Sequence, residues 1–166
     1  TTLYLHDALQ ISNVPYRVFH SSSIFSAGIG ESSLDIYKFG PPTTIPFWSE
    51  KYRPTSFIDV IKKNLENGEH SMVLLDYDYK KNKTMRLGDA LASLRAADED
   101  GKRGIAKDGT KILVLGDIGK ETQAIKYVEI GKISKALLEL FEGKVITLII
   151  PAKLNFAEEE ALRKFA

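Results

Sequence analysis

The residue types that most often carry chemistry are sparse in this chain of 166 residues. It contains no cysteine, which excludes a disulfide framework, thiolate catalysis, iron–sulfur ligation and cysteine-bound zinc. His6, His20 and His70 are far apart and lack the short spacings of metal ligands, so we predict no metal site. No serine stands in a Gly-x-Ser-x-Gly elbow, and no Walker-type phosphate loop is present. No residue is therefore assigned a catalytic role from a motif.

Two polar segments that follow apolar runs are the remaining candidates. Asp76 and Asp78 flank Tyr77, and on a strand both carboxylates would face the same side. They form either a catalytic pair or the solvated end of a strand, and the pattern favours the second interpretation. The segment Gly116-Asp117-Ile118-Gly119 lacks the further glycine and the following helix of a dinucleotide-binding fingerprint.

Alternating strands and helices must position these residues. The hydrophobic patterns predict strands over 16–19, 43–48, 72–79 with a polar far end, 112–115, 123–130 and 145–150. Helical periodicity predicts helices over 1–13, 56–66, 87–94, 133–141 and 156–166. Serines 21–23 can cap a further helix, Ser56 with Asp59 resembles a capping box, and Asn155 can cap the last helix. The order predicts an α/β fold with a mixed β-sheet covered by helices.

The composition is that of an ordinary globular protein. Lys and Arg number 23 against 22 Asp and Glu, which gives a net charge of +1 and argues against a general nucleic-acid binder. No apolar run approaches the roughly 18 residues needed to cross a bilayer, and no signal peptide is visible. We therefore expect a cytoplasmic protein that binds neither nucleic acid nor membrane.

Three predicted strands end in turns that carry small or polar groups. These ends are Phe19-His20-Ser21, Leu75-Asp76 and Leu115-Gly116. In open α/β sheets, ligands lie in the crevice beyond the carboxyl ends of strands. We predict a binding cleft there, although the pattern by itself does not identify its ligand.

Several segments, taken in order, are similar to one family of enzymes. They are His20-Ser-Ser-Ser-Ile24, Tyr37-Lys-Phe-Gly40, Pro54-Thr-Ser56 with Asp59-Val-Ile61, Gly68-Glu-His70 leading into Leu75-Asp76, and Ile149-Ile-Pro151 with Lys153-Leu154. In this order and spacing, the chain resembles the tetrapyrrole (corrin/porphyrin) methylase family, in particular its branch in diphthamide biosynthesis. The resemblance covers nearly the whole chain.

The resemblance implies a binding site for S-adenosylmethionine, with S-adenosylhomocysteine as the product. In this family the methyl donor lies folded between two domains, against backbone groups more than charged side chains. The matching positions depart from the family at three points: Ile118 replaces a small residue, Ile146 a common histidine and Asp117 a basic residue. The implied cofactor-binding residues are Ser23, Ile24, Leu75, Ile118 and Ile146.

The resemblance also implies a domain organisation. Thr1-Thr2 is similar to the tail of the family's Gly-Asp-Pro-x-x-Ala-Thr-Thr-His loop, with Leu3 in place of the usual histidine. Residues 1–13 would then be a helix linking a preceding N-terminal domain to a C-terminal methylase subdomain over 14–166. Because half of the cleft would lie in the preceding domain, we expect these residues alone to be inactive.

The implied reaction is methylation of the amino group of the modified histidine of translation elongation factor two, by a homodimeric enzyme. For a protein substrate, the basic segments Lys51–Arg53 and Lys80–Lys83 are either docking surfaces or solvated loops, with solvated loops favoured. Two alternatives remain open. One is a methylase acting on a tetrapyrrole such as a precorrin, and the other is a non-catalytic dimerisation or binding module.

Overall fold

The computed structural model describes residues 11, 15, 17 and 21–166. Its strands are β1 (Thr43–Ile45), β2 (Ser71–Leu75), β3 (Tyr77–Asp78), β4 (Lys83–Thr84), β5 (Lys111–Gly116), β6 (Ala124–Glu129) and β7 (Ile146–Ile150). Five of them form a sheet in the order β1-β2-β7-β5-β6, and β3 pairs with β4 in a separate hairpin. Strands β1 and β2 are parallel, whereas the other neighbouring pairs of the sheet are antiparallel. The predicted mixed sheet is confirmed.

Helices cover both faces of this sheet. They are α1 (Ile24–Ser32), α2 (Ser56–Glu66), α3 (Leu87–Gly101), α4 (Lys135–Leu140) and α5 (Phe156–Leu162). The period-2 alternation of β5 sends Ile112 and Val114 into the core shared with α2 and α3, and Leu113 and Leu115 into a second core. The second core includes Leu162 of α5 and lies against α1. The apolar run of β5 is buried on both sides for this reason.

Helix starts follow the sequence signals at two positions and depart from them at one. The Ser23 hydroxyl caps α1 by accepting from the Phe25 N–H at 3.3 Å, and Asn155 caps α5 in a full capping box with Glu158. The box expected from Ser56 and Asp59 is wrong. Helix α2 begins at Ser56 itself, its N-cap Thr55 makes no side-chain cap, and the Asp59 carboxylate instead binds Arg103.

The single strand predicted over 72–79 is divided in the structure: β2 ends at Leu75, and Tyr77–Asp78 form β3. The pairing of β3 with β4 in a separate hairpin was not predicted from the sequence. Its two-residue strands are too short to show a period of two. Of residues 80–83, expected as a basic loop, the first three lie in its tip and Lys83 begins β4. The strand predicted over 43–48 is shorter, because regular pairing ends at Ile45. The linking helix expected over 1–13 and the strand expected over 16–19 lie outside the residues that the structure describes, apart from Ile11 and Arg17.

Candidate functional site

A cleft of about 420 Å³ lies at the sheet edge where β2 and β5 end and β7 begins. The register fixes this edge, since Leu74 pairs with Thr147 while Gly116 pairs with Ile146. The volume is within the range of about 300–1,000 Å³ usual for small-molecule sites. Four chain segments line it: Ser22, Ser23, Ile24 and Ala27; Leu74 and Leu75; Asp117, Ile118 and Lys120; Val145, Ile146 and Thr147.

The structure brings together all five residues that the resemblance assigned to cofactor binding. Ser23 and Ile24 stand at the start of α1, and Leu75 ends β2. Ile118 lies in the turn after β5, and Ile146 begins β7. Their convergence on one cleft is a result of the fold and does not itself identify a ligand. Of the strand ends that predicted the cleft, those of β2 and β5 border it, and residues 19 and 20 lie outside the described residues.

Close packing holds α1 against the sheet beside the cleft. A Cβ built on Gly28 would lie 3.4 Å from Leu115 and 3.5 Å from Met72, both in the second core. The hydroxyl of Ser23 and its carbonyl both bind groups of the first helical turn, the latter accepting from the N–H of Ala27 at 2.8 Å. The small side chains on this face of α1 leave the cleft open next to the apolar end of β2.

The turn after β5 is fixed by Asp117, which has a left-handed backbone with φ of 49°. Its carboxylate accepts from Lys120 Nζ at 2.9 Å, the Thr122 hydroxyl at 2.7 Å and the Val145 N–H at 3.1 Å. The hydrogen bond from Lys120, followed by that from Thr122, lowers the pKa of Asp117 to about 2. Asp117 therefore remains ionised and holds together two segments that line the cleft.

Ile118 and Ile146 contribute less side-chain bulk to the cleft than their size suggests. Ile118 is half-buried and packs against the second core, on the side of Leu113 and Leu115. Ile146 is only 4% exposed and packs into the first core on the other face of the sheet. The isoleucine at 118, where the resembled family has a small residue, is thus accommodated by turning partly into the protein.

The aspartates that follow β2 both bind backbone groups. Asp76 accepts from the N–H groups of Phe47 at 3.0 Å and Tyr77 at 2.9 Å. Asp78 accepts from the N–H groups of Lys80 and Lys81, and so shapes the hairpin tip. These contacts give both half-buried carboxylates a role in local structure.

A buried polar cluster at the opposite end of the sheet, where β2 begins and β7 ends, was missed by sequence reasoning. His70 is fully buried, accepts from the Ala152 N–H at its Nδ1, and donates from Nε2 to Glu158 at 2.9 Å. Glu158 also binds Lys38 Nζ at 2.6 Å. Burial alone would raise the pKa of Glu158, but hydrogen bonds from Lys38, the Asn155 N–H and His70 offset it and lower the pKa to about 2. The cluster joins β2 to α5 and does not border the cleft.

A second cavity of about 430 Å³ lies at the opposite edge of the sheet, where β5 begins and β7 ends. It is bordered by Arg103, Lys111 and Tyr127, and none of the five residues assigned from the resemblance lies there. The Arg103 guanidinium is already bound to Asp59.

Among the residues that the structure describes, no cluster of three or more His, Asp or Glu side chains could hold a metal ion. Nor does any helix in the described ranges have the length and apolarity to cross a membrane.

The mixed sheet is covered on both faces and has a cleft where β2 and β5 end, which defines an α/β domain. Along about nine tenths of its length the chain is similar in sequence to diphthine synthases. It is 38% identical over 150 residues to the diphthine synthase of Methanothermobacter thermautotrophicus, and 36% identical over 146 residues to that of Methanosphaera stadtmanae. These alignments cover 90% and 88% of the chain. No family model matches the chain.

Solved structures agree with the sequence relatives. The crystal structure of a candidate diphthine synthase from Entamoeba histolytica matches 95% of the chain with a TM-score of 0.85 and 28% identity, over 62% of its own length. A crystal structure of diphthine synthase matches 96% with a TM-score of 0.78 and 25% identity, over 57% of its own length. The chain spans 54–56% of the length of the curated relatives that it matches.

Proposed function

We propose that this chain is part of an S-adenosylmethionine-dependent N-methyltransferase, a diphthine synthase. The enzyme methylates the amino group of the modified histidine of translation elongation factor two in diphthamide biosynthesis. Residues 14–166 supply one wall of the cofactor cleft, and a preceding N-terminal domain supplies the other. This division agrees with the relatives, of whose length the chain spans only 54–56%, and it makes the described domain alone inactive.

One observation carries the proposal. Five positions assigned to S-adenosylmethionine by resemblance come from four separate parts of the chain, and all line one cleft of suitable volume. The relatives that match the chain bear the name diphthine synthase. Together these findings support both the kind of ligand and the class of reaction.

The residues of the cleft fit the chemistry of this cofactor. Ile24 and Leu75 offer apolar surfaces suited to an adenine ring, and the start of α1 and the strand ends offer N–H and C=O groups for its polar edge. Asp117 is held in its own network, so its charge serves the turn. Because the Ile118 side chain packs partly against the second core, it leaves space in the cleft that a side chain projecting fully into it would fill.

When bound, S-adenosylmethionine supplies a methyl group already activated by its sulfonium. Transfer to an amine then needs positioning and a deprotonated nucleophile more than a dedicated acid or base. The contribution of this chain is accordingly to bind and orient, through the fixed turn at Asp117 and the rigidly packed α1. This explains why no catalytic residue could be assigned from the sequence.

The first experiment measures S-adenosylmethionine binding to the intact, full-length protein by calorimetry. We expect a dissociation constant of roughly micromolar order. Ala27→Leu should weaken binding by about tenfold or more, because Ala27 lines the cleft from inside α1. Ser26→Leu introduces the same side chain at an exposed position of the same helix and should leave binding unchanged. Absence of binding by the intact protein would contradict the proposal.

The substrate is tested by comparing methyl transfer to translation elongation factor two with transfer to a precorrin. We expect transfer to the elongation factor only, since a tetrapyrrole pocket must admit a large macrocycle. The remaining parts of the proposal, a homodimer in the cytoplasm, are checked by light scattering and by cell fractionation. A scattering mass equal to one full-length chain at high concentration would exclude the dimer.

A further inference from the structure

We propose that a basic, aromatic surface beside the cleft docks an acidic segment of the protein substrate. This surface, the basic rim, consists of residues 50–53 and 76–83. The inference rests on the proposed function, because it assigns a role in substrate recognition to the neighbourhood of the same cleft. It was one of two interpretations open from the sequence, and the structure supplies the contacts that favour it.

Two segments that are distant in sequence form the rim together. The N–H of Phe47, at the start of the loop that carries residues 50–53, donates to Asp76 Oδ2 at 3.0 Å. From the other side, Lys83 Nζ lies 5.9 Å from the centre of the Phe47 ring, within cation–π distance. These contacts hold the loop after β1 against the β3–β4 hairpin. Because the loop that carries Lys51–Arg53 starts at this contact and the hairpin carries Lys80–Lys83, we treat the two basic segments as one surface.

The charges of the rim are directed outwards. It carries five cations, Lys51, Arg53, Lys80, Lys81 and Lys83, against the carboxylates of Glu50, Asp76 and Asp78. Asp76 and Asp78 accept backbone N–H groups. Within the described part of the chain, Lys51 and Lys80 have no carboxylate within ion-pair distance, and Lys81 reaches Asp78 only at 3.7 Å. Such exposed lysines attract an acidic partner and raise its rate of association.

Exposed aromatic rings accompany these charges. Tyr79 is 87% and Tyr52 is 65% exposed. The Tyr79 ring stands edge-on to that of Tyr77 at 4.7 Å, and the Tyr77 hydroxyl binds Asn82 across the hairpin. Tyrosine and arginine are enriched at protein–protein interfaces, where a rigid ring provides contact area at small entropic cost. A surface that combines tyrosines with lysines and an arginine fits an acidic polypeptide segment.

The rim also lies where a substrate must pass. Leu75 lines the cleft, and Asp76, the first residue of the hairpin segment, follows it directly. Lys80 is five residues further on, at most about 18 Å of extended chain from Leu75. A protein whose side chain enters the cleft would therefore meet the rim with neighbouring residues.

The test uses full-length enzyme and its protein substrate, with Lys51→Glu/Lys80→Glu as the variant. The matched control, Lys107→Glu/Lys135→Glu, makes the same change in charge at two exposed lysines near the opposite edge of the sheet. We expect the rim variant to raise the KM for the protein substrate about tenfold, and this KM should depend less steeply on salt concentration than that of the wild type. The kcat and the affinity for S-adenosylmethionine should change less than twofold. The control should match the wild type.

Each other outcome has a distinct meaning. A rim variant whose KM equals that of the control would overturn the docking role and leave the methyltransferase proposal intact. Failure of the wild type itself to bind S-adenosylmethionine would instead overturn the proposed function. Salt-dependent binding of RNA, lost in the rim variant while the KM is unchanged, would assign the surface to nucleic acid and refute docking of a protein.

Discussion

Asp117 and Val145 are hydrogen-bonded to each other twice. The N–H of Asp117 donates to the Val145 carbonyl at 2.9 Å, and the N–H of Val145 donates to Asp117 Oδ1 at 3.1 Å. This pair joins the turn after β5 to the residue that precedes β7, and both segments line the cleft. The shape of the cleft at this wall therefore depends on one ionised side chain.

Replacing Asp117 should loosen this wall. We expect Asp117→Ala to cost about 1–2 kcal/mol of unfolding free energy, since the Val145 N–H and Lys120 lose their acceptor. The variant should also weaken S-adenosylmethionine binding by the full-length protein. Asp117→Asn is the matched control for the left-handed backbone, which asparagine tolerates while retaining a carbonyl acceptor, and its losses should be smaller. Urea denaturation and calorimetry measure both effects, and wild-type values for Asp117→Ala would contradict this account.

The buried Glu158 should make the stability of the protein sensitive to acid. Its pKa is about 2 in the folded protein against an ordinary value of 4.5. Because the folded pKa is the lower one, the stabilisation is fully present above about pH 4.5 and is lost as the pH falls towards 2. Glu158→Gln should therefore lower stability at neutral pH, by about 2 kcal/mol, and flatten the decline between pH 4.5 and 2.

The control for this experiment is Glu159→Gln at the exposed neighbouring position. It should retain both the stability at neutral pH and the acid-dependent decline of the wild type. Denaturation midpoints measured from pH 7 to pH 2 compare the three proteins. If Glu158→Gln follows the wild-type profile throughout, the hydrogen bonds from Lys38 and His70 do not stabilise the fold.

Local patterns were sufficient to predict much of this fold. The apolar run of β7 lies within a single segment, and the strand is buried along its whole length as such a run predicts. The mixed apolar and polar residues of β6 likewise predict a half-exposed strand, and all six of its residues are half-buried. The cap at Asn155 needed only the residue three positions further on. The role of Glu158 could not be predicted in the same way. Its partners Lys38 and His70 come from distant parts of the chain, and only folding brings them together.

In the candidate site, too, local features could be predicted from the sequence, whereas contacts between distant segments could not. Polar residues after apolar strands indicated its edge of the sheet, and resemblance indicated which positions line it. The directions of Ile118 and Ile146 depend on which core each side chain enters, and that is settled by contacts with α1, α2 and α3. The hydrogen bond between Asp117 and Val145 could likewise not be predicted, because Val145 precedes a different strand.

Gly116 marks a close approach that sets the end of β5. A Cβ there would lie 2.8 Å from the Phe141 ring, which is only 1% exposed. We expect Gly116→Ala to destabilise the protein by about 1–3 kcal/mol. Gly30→Ala is the opposite control, since nothing lies within 4 Å of its Cβ and it occupies a helix, so it should add about 0.5–1 kcal/mol. Equal melting behaviour of the two variants would contradict the packing described for Phe141.

Ile118 offers a test that separates packing from ligand binding. Its side chain is half-buried against the second core, so Ile118→Ala should lower the unfolding free energy by about 1–2 kcal/mol. The same change removes bulk next to the cleft, and we expect S-adenosylmethionine affinity of the full-length protein to be unchanged or higher. Ile118→Val keeps the branched contact with the core, so its unfolding free energy should lie between those of the wild type and Ile118→Ala. A fall in affinity for Ile118→Ala, at full folding, would show that the isoleucine contacts the ligand and that its turn towards the core is not what keeps the cleft open.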